Sequence, residues 1–109
     1  MNYPNKSITL TDKTFTSAIE TYPLVIVFCL PSTEYTFGNP LPVIDSMAKK
    51  YEGRIIFGIL NVEEYKEIAL HYDVATTPAV LIFKNQRLVG YLKNDITITD
   101  IEDRIKRYL

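Results

Sequence analysis

"YDVATTPAVLIFKN", Tyr72 to Asn85, passes from the tail of a helical pattern through a proline into an apolar strand. Upstream, "EEYKEIALHYDV" sets Tyr65, Ile68, Ala69 and Tyr72 on one helical face and its Glu and Lys residues on the other. Downstream, "TTPAVLIF" reads as a strand with Pro78 at its start, a position that tolerates a residue lacking an N–H. "KNQR" is a turn joining antiparallel strands, with Asn85 suited to a positive φ, and "LVGYL" is the returning strand.

The same two periodicities alternate through the rest of the chain. "SITL" is a short strand, and "LTDKTFTSAIETY" offers Thr11 as N-cap and Asp12 in the first turn of a helix that carries Phe15, Ala18, Ile19 and Tyr22 and stops at Pro23. "LVIVFCL", Leu24 to Leu30, is apolar on both pleat faces, which predicts a strand covered by helices on both sides. Val43, Ile44, Met47, Ala48 and Tyr51 form a helical stripe ending near Gly53, and "RIIFGILNV" follows as a strand. In the last helix, "TDIEDRIKRYL", Ile101, Ile105 and Leu109 recur four apart. The resulting order is β-α-β-α-β-α-β-β-α, an α/β sandwich expected to form a single domain over residues 1–109.

Composition narrows the function. Apolar residues make up 47% and charged residues 23%, the profile of a chain that folds on its own. Twelve Lys and Arg against thirteen Asp and Glu leave a net charge of -1, with no basic surplus for nucleic acid or an anionic membrane. One Cys and one His provide neither an intramolecular disulfide nor a structural zinc site, so no metal or cofactor is expected. The N-terminus lacks a long apolar run, and a cytoplasmic location is the expectation.

The element order resembles the thioredoxin fold, a central mixed β-sheet flanked by helices on both faces. "LTDKTF", "LVIVF", "LNVEE" and "YDVATTPAVLIFKN" resemble thioredoxin segments in the right order, from about Ser7 to the end. The last is the most specific, because thioredoxins carry a cis-proline just before the fourth strand, opposite the active site; Thr77 and Pro78 match it. In the family the backbone before this proline pairs with a bound peptide.

The resemblance also shows what the chain lacks. Thioredoxins follow the central strand with a WCGPC loop, whose first Cys attacks and whose second resolves the mixed disulfide. Here the loop is "PSTEYTFGNPLP", and the cysteine positions fall on Thr33 and Thr36, with Glu34 and Tyr35 between them. A threonine hydroxyl cannot exchange disulfides. The family's buried Asp aligns with Val27, its companion Lys with Ile59, and its Trp with Ser32; loss of both charges leaves neither one buried alone. The loop is one residue longer before the helix-kinking proline, placed at Pro42 with Pro40 as the other candidate. Asn94 stands where the family has a groove-lining glycine, and Asn can share its positive φ.

Three readings of function follow, the third being a purely structural or accessory domain with no specific peptide groove. In the first, the chain is a redox-inactive binding or scaffold module whose rim, Thr33, Glu34, Tyr35, Thr36, Phe37, Thr77 and Pro78, holds a protein or peptide partner. In the second, "CLPS" at Cys29 to Ser32 is a monothiol motif and Cys29 the nucleophile of a thiol-disulfide oxidoreductase serving cell redox homeostasis. Against the second, Cys29 stands four residues before the nucleophile position and inside a covered strand, where a thiol behaves as a small hydrophobe. His71 has no HxxxH or CxxC companion, and "GNP" lacks the glycines of a phosphate loop.

Overall fold

The computed structural model describes residues 3–31 and 39–109. Nine elements follow the expected order: β1 (Ile8–Leu10), α1 (Phe15–Thr21), β2 (Leu24–Leu30), α2 (Leu41–Lys50), β3 (Ile56–Asn61), α3 (Lys66–His71), β4 (Ala79–Lys84), β5 (Arg87–Lys93) and α4 (Ile98–Lys106). The strands form one sheet in the order β1-β3-β2-β4-β5. β3 runs parallel to both β1 and β2, whereas β4 is antiparallel to β2 and to β5.

β2 lies at the centre of that sheet, and every one of its residues is buried. Its alternate side chains separate two cores, because successive strand residues point to opposite faces. Leu24, Ile26, Phe28 and Leu30 pack with Ile44 and Met47 of α2 and with Ile101 and Ile105 of α4. Val25, Val27 and Cys29 pack with Phe15, Ala18 and Ile19 of α1, flanked by Tyr65, Ile68 and Tyr72. On this second face Phe83 of β4 takes Phe15 and Tyr72 edge-on, at centroid distances of 5.8 and 5.3 Å.

Local chemistry explains most boundaries. Asn85 and Gln86 both take positive φ, 49° and 72°, the geometry of the two-residue hairpin turn whose twist matches its flanking strands. α4 starts with a reciprocal cap: Thr97 Oγ1 accepts the Asp100 N–H, and Asp100 Oδ2 accepts the Thr97 N–H, each at 3.1 Å.

Three expectations are corrected, and the faces of Val27 and Ile59 are fixed. Thr11 Oγ1 does accept the N–H groups of Lys13 and Thr14, each at 3.2 Å, but it closes a turn, and regular helix begins only at Phe15. Pro42 does not kink a helix: α2 begins at Leu41 with Pro40 as its N-cap residue, so both prolines sit where a missing N–H breaks no helical bond. Leu109 lies beyond α4 and is 50% exposed. Val27 and Ile59 do not face each other; Val27 belongs to one core and Ile59 packs against the other, so each is explained by its own apolar surroundings.

Candidate functional site

The antiparallel register of β4 places its start beside the end of β2: Ala79 pairs with Cys29 on one side and with Lys93 of β5 on the other. Thr77 and Pro78 therefore form a rim at the edge where β2 leaves the sheet. The Thr77–Pro78 peptide bond is cis. Pro78 is exposed and Thr77 half-buried, and Thr77 makes no hydrogen bond with any described residue. Beyond β5, Asn94 and Asp95 take φ values of 62° and 47°, so the position aligned with the family's glycine has the left-handed backbone that Asn tolerates. Thr33, Glu34, Tyr35, Thr36 and Phe37 lie outside the described residues.

Cys29 belongs to the sheet interior rather than to the rim. It is paired on both sides, with Leu60 of β3 and Ala79 of β4, and is 0% exposed. Burial pushes its thiol up from an ordinary 9.0 to about 12, because a thiolate there would lose its hydration without gaining a compensating charge. Low thiolate population and lack of access both oppose nucleophilic attack. His71 is exposed at the end of α3, edge-on to Tyr72 at 4.7 Å. Among the described residues no three His, Cys, Asp or Glu side chains stand together as a metal site, and no helix is long and apolar enough to cross a membrane.

One feature of the rim is not readable from any local pattern. Between the N-terminal turns of α2 and α4 a groove of about 290 Å³ opens onto Pro78. Phe28 and Val80 of the sheet contribute to it, with Met47 and Ile101 from the helices. Val43, expected in the buried stripe of α2, is instead 42% exposed, and it shares the groove with Ile98 of α4, 47% exposed. Each extends the apolar stripe of its own helix, and both line the groove between the two helices. A second depression, sharing Val43, Met47 and Ile98, ends at an ion pair between Lys50 Nζ and Glu102 Oε2, 3.0 Å apart.

Together, a five-stranded mixed sheet, two helical layers and a cis-proline before the fourth strand define a thioredoxin-fold domain, here with one buried thiol. The thioredoxin family model matches residues 6–107, and the chain belongs to that family. With Cys29 as its only cysteine, it has no CxxC pair.

Among curated relatives, it is 37% identical over 68 residues to the chloroplastic M-type thioredoxin of Spinacia oleracea, covering 62% of this chain and 38% of that one. It is 31% identical over 68 residues to thioredoxin of Buchnera aphidicola subsp. Baizongia pistaciae, covering 62% of each chain. The matches thus span less than two thirds of these relatives. Among solved structures, a mutant thioredoxin from Halobacterium salinarum NRC-1 superposes with a TM-score of 0.84 at 15% identity, over 99% of this chain and 95% of that one. Mitochondrial thioredoxin 3 from Saccharomyces cerevisiae, in its oxidized form, gives 0.76 at 21% identity, over 93% and 94%. At such identities the likeness is one of fold.

Proposed function

We propose that this chain is a redox-inactive thioredoxin-family module that binds a protein or peptide at the rim around Thr77 and Pro78. The observation that carries the reading is the position of its one thiol: Cys29 is sealed in the central strand, with that thiol held at about 12. Disulfide exchange needs an accessible thiolate, and the resolving step of the dithiol mechanism needs a second thiol that the chain lacks. What remains of the family's equipment is the rim itself, where the Thr77 main chain, unpaired among the described residues, lies beside an apolar groove. The near-neutral charge, -1 overall, favours a protein or peptide over nucleic acid or a membrane surface, and a cytoplasmic setting is part of the same reading.

The test is alkylation of Cys29 by iodoacetamide, native and denatured, from pH 5 to 9. Reaction only after unfolding is expected. A fast native reaction that persists below pH 7, with turnover in a glutathione-coupled assay abolished by Cys29→Ser, would overturn the reading and move the chemistry to Cys29. The binding half is checked by replacing Tyr35 and Phe37 with Ala, which should weaken capture of a partner; unchanged capture removes those two side chains from the surface.

A further inference from the structure

We propose that the groove between α2 and α4 is the specificity pocket of this rim, taking one bulky apolar side chain, of leucine or phenylalanine type, from an extended peptide whose main chain passes Thr77. The inference rests on the binding reading above. Extended peptides are held by main-chain hydrogen bonds, and their partners are distinguished by pockets that accept particular side chains. Both parts meet here: Thr77 has no hydrogen-bond partner among the described residues, and the adjoining Pro78 is itself a wall of the groove.

The lining sets the chemistry of the occupant. Apart from Thr97, whose hydroxyl already accepts the Asp100 N–H, every described side chain lining the groove is apolar. A charged side chain placed there would lose its hydration with nothing to replace it. A small one would leave much of the roughly 290 Å³ without contacts. The size of the groove suits one side chain rather than a longer element. The Lys50–Glu102 ion pair spans from α2 to α4 in the adjoining depression, so a helix laid along the two helices would meet these two charges. One inserted side chain reaches only the apolar end, where it covers the exposed Val43 and Ile98.

The probes are acetylated and amidated pentapeptides, Gly-Ser-Xaa-Ser-Gly with Xaa as Leu, Phe, Ala or Asp, titrated into the isotope-labelled full chain. The Thr77 amide and the methyl groups of Val43, Met47 and Ile98 are followed by NMR. The Leu and Phe peptides should shift both sets of signals and bind about tenfold more tightly than the Ala peptide, given the apolar surface that each buries. The Asp peptide should not bind measurably. Ile98→Glu and Val43→Glu should each abolish the preference for Leu and Phe. Both replace exposed side chains in a first helical turn, where a carboxylate suits the helix dipole, so the fold is retained. If all four peptides shift the Thr77 amide equally and leave the methyl groups unmoved, the pocket is wrong while the rim reading stands. If the methyl groups move and Thr77 does not, the rim reading fails and takes the proposal with it. Absence of any shift, or self-association of the chain through this face in sedimentation at the same concentrations, overturns the proposal.

Discussion

Raising the pH should destabilise this protein through Cys29, by an amount that follows from its burial. The thiol ionises near 9.0 in the unfolded chain and near 12 in the folded one. Below pH 9 both states carry the proton, and the thiol adds no pH dependence. Between the two values the unfolded chain releases the proton and the folded chain keeps it, so ionisation favours unfolding. In this window stability falls by about 1.4 kcal/mol per pH unit, reaching a loss of about 2 kcal/mol at pH 10.5. Lysines and tyrosines titrate in the same range, so the thiol is isolated by difference: urea unfolding of the wild type and of Cys29→Ala at pH 8, 9, 10 and 10.5. The variant differs at pH 8 by a constant packing term, and the gap between the two proteins should then change in the variant's favour as pH rises. Parallel stability curves across the four pH values would refute the burial argument and, with it, the reason for denying Cys29 a redox role.

Two further perturbations test the frame that holds the rim. Gly58→Ala should lower stability by about 1–3 kcal/mol, read from the urea midpoint, because an added Cβ would lie 2.5 Å from Cδ1 and 2.9 Å from Cγ of the buried Leu10; an unchanged midpoint would mean that β1 yields freely. Thr97→Ala removes the acceptor for the Asp100 N–H and should lower stability by about 1 kcal/mol, a fall of about 4–8 °C in melting temperature. A Thr97→Ser variant, which keeps the hydroxyl, should recover most of that loss.

Much of the architecture was legible because it is local. The unbroken apolar run from Leu24 to Leu30 predicts a covered central strand, and β2 is buried throughout. Asn85 at the hairpin turn and Pro78 ahead of β4 are residues whose own backbone preferences fit their positions. Helix boundaries were less legible. Thr11 has the chemistry of an N-cap and closes a turn instead, and the Thr97–Asp100 capping box lies just outside the apolar periodicity, which starts the helix two residues later. Of the candidate site, Thr77 and Pro78 stand together at the rim, whereas Thr33 to Phe37 lie outside the described residues.

By itself, then, the sequence determined the order of elements, the lack of a second thiol and the burial of the one it has, since each depends on a residue and its near neighbours along the chain. Only the tertiary structure decided that Val27 and Ile59 serve different cores, because the face on which a strand residue lies depends on the pleat and register of the whole sheet. It alone decided that Val43 and Ile98 are uncovered. Each continues an apolar stripe on its own helix, and they stand 55 positions apart in the chain; whether they are covered or exposed depends on how α2 and α4 are placed in the fold.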